Sequence, residues 1–388
     1  MQRKSGDLLF ARRKVLTVGS ILALTSSGAV WGMVKPVARP VEVAALPVAP
    51  KIPNRVARRA PVSDDDRAEW ALFKQRFVSP DGRVIDTGNG GESHSEGQGW
   101  GMLLATAFDD VETFDNLHAW TSQHLSRASD ALHAWRYLPR SPQPVADQNN
   151  ATDADLFIAS ALWRGACQWG RTDLAKSARA IAGDILRQAV CEVGGHTVLL
   201  PAVTGFQSRS AITVNPSYYA FPAMEEMESL LPSPLWSKLR RHGMALLESG
   251  RFGKWQLPPD WIQIDRETGV LMPHPNWPAR FSYDAIRVPL WLAWSQQTPS
   301  DSTRPFSEYW AQRLPSPPAW VDLKTNMSAN YAAPAGMVAV AQITTELAKG
   351  GSAALRPPAF PRIRTAPNYY SAALIMLSRL AWQERHLA

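Results

Sequence analysis

The stretch Ser95–Ala107 reads Ser-Glu-Gly-Gln-Gly-Trp-Gly-Met-Leu-Leu-Ala-Thr-Ala and places a carboxylate and three glycines at the start of a predicted helix. Ser95, followed three residues later by Gln98, has the form of a capping box, in which the two side chains bond backbone N–H groups at the helix start. Each glycine costs roughly 1 kcal/mol against alanine in a helix interior, so three of them indicate the close approach of a ligand or another backbone. The stretch predicts a tightly packed helix with Glu96 at its N-terminus.

The remainder of the folded chain shows mostly helical patterning, with apolar residues spaced three and four positions apart. Eleven segments carry this pattern: Asp64–Val78, Gly97–Phe108, Val111–Leu125, Asp153–Trp169, Thr172–Val190, Pro216–Leu230, Ser233–Leu247, Asp284–Trp294, Pro305–Leu314, Ala333–Lys349 and Pro367–Trp382.

Some of these helices are apolar around most of their circumference, whereas others have one polar face. Gly97–Phe108, Leu156–Trp163 and Leu290–Trp294 belong to the first kind and are predicted to be surrounded by other helices. Thr172–Val190 is amphipathic and is predicted to lie outside. An inner ring of helices wrapped by an outer ring accommodates both kinds in one domain.

Strand-like sequence is sparse. The best candidates are Thr197–Leu200 and Ile212–Val214, with a turn at Gly194-Gly195. The predicted fold class is therefore all-α with a minor β-hairpin.

The formal charge of +7 is unevenly distributed along the chain. Residues 1–60 contain 11 Lys and Arg against 2 Asp and Glu, whereas the rest contains 30 against 32. The body of the protein is therefore slightly acidic, which argues against nucleic acid as a partner.

The basic N-terminal part has the form of an export signal, predicted over residues 1–34. Arg12-Arg13 precede an apolar, small-residue run from Val15 to Val34, an order that resembles a twin-arginine signal and is also compatible with Sec export. The run from Val15 to Val34 could also be a permanent membrane anchor, because it is about as long as the roughly 20 apolar residues that span a bilayer. Cleavage near Ala44-Ala45 is favoured, which predicts a periplasmic or secreted protein without stable membrane insertion.

Residues 35–62 are rich in Pro, Ala, Val and Arg without a period, and predict a linker. The folded domain is predicted to span residues 63–388. Two cysteines, Cys167 and Cys191, are expected to be free and mostly buried. His94 has no second His or Cys at ligand spacing, so it is interpreted as a loop histidine, and neither a metal nor a cofactor is expected.

Two further segments place acidic side chains at predicted helix starts. Ala151–Leu162 contains Asp153 and Asp155 in its first turn, where helix capping alone could explain them. Ser282–Pro289 contains Asp284 three residues before Arg287, which could be an ordinary surface ion pair. With Glu96, three acids at three helix starts match the needs of polysaccharide hydrolysis: an acid, a base and a group that binds the sugar.

The segments Ser-Glu-Gly-Gln-Gly-Trp-Gly, Ala-Thr-Asp-Ala-Asp, Asn-Pro-Ser-Tyr (215–218) and Tyr-Asp-Ala-Ile-Arg-Val-Pro follow one another in the order found in glycoside hydrolase family 8. The resemblance covers roughly residues 64–385. It implies an (α/α)6 barrel and inverting hydrolysis of a β-1,4-glucan. Among family members, the chain resembles the exported endoglucanases that accompany bacterial cellulose synthase, so that machinery is a possible partner.

Carried over residue by residue, the resemblance makes Glu96 the general acid, Asp284 the general base and Asp153 the carboxylate that binds the sugar at the cleavage point. Tyr218 and Arg287 would orient Asp284. A helix N-terminus lowers the pKa of a carboxyl, which opposes an acid role for Glu96. Burial under an aromatic ring and a neighbouring carboxylate are expected to outweigh that effect.

Sugars present apolar faces that stack on aromatic rings, and the chain has 16 Trp. The predicted sugar-stacking residues lie in or beside the motifs and loops: Trp100, Trp135, Tyr137, Tyr283 and Tyr369. Taken alone, each of them is more often a core residue than a sugar-stacking platform. Trp163, Trp169 and Trp294 lie inside helical patterns and are assigned to the core.

Two alternatives to a β-1,4-glucanase remain open from the sequence. One is a non-hydrolytic periplasmic glucan-binding factor that assists cellulose assembly. The other is the same fold acting on xylan or chitosan.

Overall fold

The computed structural model describes residues 62–297, 300–349 and 357–385. The predicted export signal and the predicted linker, apart from Val62, lie outside these ranges. Within them the eleven predicted helical segments each correspond to an α-helix: α1 (Asp64–Phe77), α2 (Ser95–Ala107), α3 (Val111–Leu125), α4 (Thr152–Trp169), α5 (Thr172–Gln188), α6 (Phe221–Leu230), α7 (Pro234–Ser249), α8 (Arg287–Trp294), α9 (Arg304–Ala311), α10 (Ala335–Ala348) and α11 (Tyr369–Arg385).

The most buried helices form a closed ring in the order α2, α4, α6, α8 and α11, with α11 packing against α2. The helices α3, α5, α7 and α1 pack on the outside of α2, α4, α6 and α11, respectively, and α10 contacts α8, α9 and α11. Apolar side chains of the inner helices fill the core, and Trp163 and Trp294 are buried there as predicted. The described ranges contain eleven α-helices, five of them in this inner ring, and the double ring is the architecture of the expected (α/α)6 barrel.

The glycines of α2 allow this helix to approach its neighbours closely. A Cβ atom added at Gly99 would lie 3.1 Å from the backbone nitrogen of Ile158 and 3.2 Å from the carbonyl oxygen of Ala154, both in α4. A Cβ atom at Gly101 would instead meet side-chain atoms of Leu117 and Val84. The sequence left open whether the glycines accommodate a ligand or another backbone. At Gly99 it is the backbone of α4 that approaches closely.

The predicted capping box is wrong. The N-cap of α2 is His94, which makes no side-chain cap hydrogen bond. The Gln98 side chain instead accepts the N–H of Val84 at 2.6 Å and donates to Thr121 Oγ1 at 2.9 Å and to the carbonyl of Gly82 at 3.1 Å. Gln98 therefore ties the preceding loop and α3 to α2.

Nine short strands form four small antiparallel sheets in the described part of the chain. The strands are β1 (Ser93–His94), β2 (Arg136–Tyr137), β3 (Val190–Val193), β4 (His196–Leu199), β5 (Ala211–Val214), β6 (Ile262–Asp265), β7 (Leu271–Pro273), β8 (Arg280–Phe281) and β9 (Val321–Asp322). The pairs are β1 with β2, β3 with β4, β5 with β6, β6 with β7, and β8 with β9.

The predicted hairpin exists, but its partners differ from the prediction. Strand β4 pairs with β3 across Gly194-Gly195, and both glycines have positive φ. Strand β5 pairs with β6, in a different sheet. The sequence identified the turn but not the long-range partner of β5.

Both cysteines are free: Cys167 is partly buried and Cys191 is buried. No helix within the described ranges is long and apolar enough to cross a membrane.

Candidate active site

One arginine connects the three predicted catalytic acids. Glu96 is the second residue of α2, Asp153 is the second residue of α4, and Asp284 lies in the turn before α8. Arg287, the first residue of α8, donates through Nη1 to Glu96 Oε2 and, at 3.0 Å, to Asp153 Oδ2. Its Nη2 donates to Asp284 Oδ1 at 3.0 Å. The three motifs therefore converge on one guanidinium.

The cluster is enclosed. The Arg287 side chain is only 1% exposed, so the interpretation of Arg287 and Asp284 as a surface ion pair does not hold. The side chains of Asp153 and Asp284 are 2% and 7% exposed, whereas that of Glu96 is 14% exposed. Glu96 is thus the most accessible of the three carboxyls.

The guanidinium is fixed by neutral groups as well as by the acids. Its Nη2 donates to Ser217 Oγ at 2.7 Å, and that hydroxyl donates to Asn215 Oδ1 at 2.7 Å. The Cζ atom lies 5.8 Å from the centre of the Trp100 ring and 5.7 Å from that of Tyr218, within range of cation–π attraction. Arg287 is therefore held between two aromatic rings and a set of acceptor oxygens.

Tyr218 presents a neutral hydroxyl to the same cluster. Burial raises its pKa well above the usual value near 10, and the charges of Asp153 and Asp284 raise this pKa further, against the opposing effect of Arg287. The phenol consequently stays protonated and remains a hydrogen-bond donor throughout the neutral range.

The two aspartates at the start of α4 have separate partners. Asp153 faces Arg287, whereas Asp155 accepts the backbone N–H of His133 at 2.9 Å and the side-chain amide of Asn150 at 3.0 Å. The Nδ1 atom of His133 also lies 3.0 Å from Asp155. Burial raises the pKa of Asp155. Asp153 belongs to the acid cluster, and Asp155 anchors the helix start to the preceding loop.

The predicted sugar-stacking residues differ in what they can offer a ligand. Trp100 is completely buried and packs against Phe157 and Tyr370, so it has no free face, and its assignment as a platform is corrected. Tyr369 is 2% exposed, and its hydroxyl donates to Glu96 Oε1 at 3.3 Å. Tyr369 therefore lies beside the acid.

The remaining three lie outside the acid cluster. Trp135 is 5% exposed, and its indole N–H donates to Asp147 at 2.8 Å. Tyr137 is partly buried and meets the edge of Trp120 at 5.2 Å. Tyr283, also partly buried, accepts the hydroxyl of Tyr370 at its carbonyl. All three remain candidates for contact with a sugar chain.

Sequence reasoning missed a second group of aromatic residues beyond Tyr218. The Trp261 ring lies 6.3 Å from Tyr218 and stacks on Phe206 at 5.7 Å. The Trp277 ring lies 5.0 Å from that of Trp261 and is tilted by 37° against it. The large number of Trp residues was a signal, but these rings come from three separate loops or strands that only the fold brings together.

Sequence reasoning also gave no role to Ser217 and Asn215, although both belong to the quoted Asn-Pro-Ser-Tyr motif. Among the residues that the structure describes, no group of three His, Cys, Asp or Glu side chains is arranged to hold a metal ion.

Comparison with known proteins places this chain in a defined family. A family model described as glycosyl hydrolases family 8 matches residues 53–384. The chain is 41% identical over 328 residues to a probable endoglucanase of Novacetimonas hansenii (84% of this chain, 93% of that one) and 40% identical over 277 residues to an endoglucanase of Cellulomonas uda (71% and 76%). It superposes on endo-beta-1,4-glucanase CMCax from Acetobacter xylinum with a TM-score of 0.78 and 41% identity, covering 83% and 99% of the two chains. The chain belongs to glycoside hydrolase family 8.

Proposed function

We propose that this protein is an endo-β-1,4-glucanase that cleaves cellulose or a related β-glucan with inversion at the anomeric carbon. The observation that carries the proposal is the cluster of Glu96, Asp153 and Asp284 around Arg287. It occurs in a chain that is 41% identical to a probable endoglucanase over most of both lengths.

Glu96 is assigned as the general acid. Three carboxylates around one guanidinium leave the cluster with an excess of negative charge, which is costly because the cluster is buried. A proton on one of the carboxyls reduces that excess. Glu96 is the most exposed of the three and is therefore the one that a glycosidic oxygen can reach. That oxygen would replace Arg287 as the partner of Glu96, receive its proton and leave with the aglycone.

Asp284 is assigned as the general base. It takes a proton from a water molecule, whose oxygen forms the new bond to the anomeric carbon as the glycosidic bond breaks on the opposite face. Arg287 fixes the Asp284 carboxylate through Oδ1, and the protonated Tyr218 can donate a hydrogen bond to the water. Asp153 remains to bind hydroxyls of the sugar at the cleavage point.

Inversion needs roughly 6.5–9.5 Å between the two catalytic carboxyls so that a water molecule fits. Glu96 and Asp284 bind different nitrogens of the same guanidinium, an arrangement that keeps the carboxyls apart while holding both at one site. In the complex with substrate we predict that the carboxyls of Glu96 and Asp284 lie roughly 6.5–9.5 Å apart.

The assignment is tested with the full chain on carboxymethyl cellulose and cellohexaose. Glu96→Gln and Asp284→Asn are each expected to reduce kcat about 10²–10⁴-fold, the usual contribution of acid–base catalysis. Asp173→Asn is the matched control, because Asp173 is a carboxylate in the first turn of the outer helix α5 and is expected to leave kcat unchanged. NMR of the first products should show the α-anomer. Normal turnover in both acid variants, or a β-anomeric product, contradicts the assignment.

The same experiment separates the alternatives. A glucan-binding factor would bind cellohexaose tightly without releasing products. A xylanase or chitosanase would turn over xylan or chitosan faster than carboxymethyl cellulose. The intact acid cluster favours the hydrolase over the binding factor.

We further propose that residues 1–34 direct export to the periplasm or the medium, that residues 35–62 act as a linker, and that the enzyme works beside the cellulose synthase machinery. The basic, apolar N-terminal pattern supports export. The resemblance to endoglucanases that accompany cellulose synthase supports the partnership. Cell fractionation of the parent protein tests the export step: recovery outside the cytoplasm is the expected result, and recovery only in the cytoplasm contradicts it. The double variant Arg12→Gln, Arg13→Gln then separates the two routes, because a twin-arginine signal needs both arginines whereas Sec export does not.

A further inference from the structure

The turn that carries Asp284 is held by a second aspartate from a distant part of the chain. The Oδ1 atom of Asp260 accepts the backbone N–H groups of Ser282 at 3.2 Å, Asp284 at 3.1 Å and Ala285 at 2.8 Å. Its Oδ2 atom accepts the hydroxyl of Ser282. One carboxylate therefore satisfies four donors of the segment that places the base.

The backbone of Asp260 is itself fixed by a hydrogen bond next to this turn. Its backbone N–H donates to the carbonyl of Arg280 at 2.8 Å, so it is anchored directly beside the turn it holds. The next residue, Trp261, packs against Tyr218 with ring centres 6.3 Å apart. Asp260 and Trp261 thus contact both groups that bind the attacking water in the proposed reaction, namely Asp284 and Tyr218.

We propose that Asp260 is a positioning residue for hydrolysis: its carboxylate accepts the N–H groups of the turn that aims Asp284, and its negative charge is needed to hold that turn. The inference rests on the proposed function, in which Asp284 is the base.

The charges around this turn come from several elements. Asp284 lies in the turn and Arg287 at the start of α8. Glu96 comes from α2, and Asp153 comes from α4. Four tyrosines complete the surroundings: Tyr218 in the loop before α6, Tyr283 in the turn itself, Tyr331 near the Tyr283 hydroxyl, and Tyr370 on α11, which donates to the carbonyl of Tyr283.

Asp260 responds to pH within this setting. Burial, followed by the charge of Asp284, raises the pKa of Asp260 to about 6, against the hydrogen bonds from Ala285 and Ser282. When Asp260 takes up a proton, the turn loses the charge that its N–H groups face. Activity should therefore fall as the pH drops through about 6.

The central experiment is the pH profile of kcat/KM on cellohexaose for the full chain with Asp260→Asn. The amide keeps the shape and one acceptor oxygen but has no charge and no titration. The expected result is a kcat about 10- to 100-fold lower, since a small misplacement of a catalytic group costs about that much, with KM within twofold. The decline near pH 6 should disappear, so that the acidic limb moves to lower pH.

Ser282→Ala provides a second variant with the opposite expected shift. It removes a hydrogen bond that lowers the pKa of Asp260, so the acidic limb should move to higher pH while most activity remains. Asp265→Asn is the matched control: Asp265 also accepts backbone N–H groups of a turn, from Glu267 and Thr268, but lies partly exposed at the C-terminal end of β6. It should leave the profile unchanged.

Thermal unfolding of each variant shows whether it is folded at the assay temperature. A folded Asp260→Asn with the kcat of the parent protein, or with a lower kcat and an unshifted acidic limb, overturns the proposal. If Asp260→Asn does not fold, an unshifted limb in Ser282→Ala overturns it. Lack of hydrolysis by the parent protein would instead overturn the proposed function.

Discussion

Tyr218 and Tyr219 are neighbours, and both are buried, but their hydroxyl groups serve different purposes. The Tyr219 hydroxyl accepts the backbone N–H of Leu199 at 3.0 Å and so belongs to the packing around β4. The Tyr218 hydroxyl lies near the acids, whose charges raise its pKa. Similar burial therefore accompanies a structural role in one tyrosine and a proposed role in catalysis in the other.

Replacing each tyrosine by phenylalanine separates these roles. Tyr218→Phe keeps the ring against Trp261 and removes the donor, so we expect kcat to fall about 10²-fold with little change in the melting temperature. Tyr219→Phe leaves a buried N–H without its acceptor and should cost about 1–3 kcal/mol of stability at nearly unchanged kcat. Steady-state kinetics and thermal unfolding measure both effects. A Tyr218→Phe enzyme of full activity, or one that loses only stability, contradicts the assignment.

The residues of the site divide by whether they belong to a recognisable sequence motif. Glu96, Asp153, Asp284 and Arg287 belong to short motifs, so the resemblance could identify them. Asp260 could not be identified in this way, because it lies 24 residues before the N–H of Asp284 that it accepts, in a loop without a motif. Its role depends on the fold that brings the two segments together.

The contact between α2 and α4 controls the distance between two of the acids. Glu96 lies one turn before Gly99 on α2, and Asp153 directly precedes Ala154, whose carbonyl a Cβ atom at position 99 would approach to 3.2 Å. Because both nearest atoms belong to the α4 backbone, they cannot rotate away. Any side chain at position 99 must therefore separate the two helices.

Gly99→Ala is expected to lower both stability and activity, although alanine favours a helix by roughly 1 kcal/mol over glycine. Separating Glu96 from Asp153 should reduce kcat about 10- to 100-fold. Gly101→Ala is the matched control, because its Cβ would meet the ends of Leu117 and Val84 at 3.2 Å, and these side chains can move. Equal kcat values for the two variants, measured on cellohexaose, would show that the helix contact does not set the geometry of the acids.

At the level of elements, local patterns predicted the helices well and their ends less well. Val111–Leu125 has the predicted bounds. The segment predicted to start a helix at Asp284 begins one only at Arg287, because Asp260 holds the preceding residues in a turn. Hydrophobic spacing reports which residues face the core, whereas helix ends and strand partners depend on contacts from elsewhere in the chain.

Across the whole barrel, the inner helices carry two charged clusters at opposite ends. The acids lie at the starts of α2, α4 and α8. Further along α4, Arg164 donates to Glu226 of α6 at 2.7 Å and to Glu384 of α11 at 2.5 Å, and Glu384 also accepts the indole N–H of Trp294 of α8 at 2.7 Å. This Arg164 cluster joins four inner helices at the ends remote from the acids.

Arg164→Met should destabilise the barrel without changing the chemistry. Loss of the arginine leaves two carboxylates poorly compensated, at a cost of about 3 kcal/mol for a cluster that is 14–29% exposed. The melting temperature should fall by about 5 °C, while kcat below the unfolding transition stays the same. Arg171→Met is the control, because its contacts with Asp115 and Asp173 join exposed side chains and are worth about 0–1 kcal/mol.

The loss in Arg164→Met should also depend on pH in a definite direction. Burial raises the pKa of Glu226, and Arg164 is the main group that opposes this shift. Without Arg164 the pKa in the folded state rises further, so folding favours protonated Glu226, and stability is lost as the pH rises above the ordinary glutamate value of about 4.3. The difference in melting temperature between parent and variant should therefore be larger at pH 8 than at pH 5. A constant difference would mean that Arg164 contributes by packing alone, and that the inner helices are not joined through its charge.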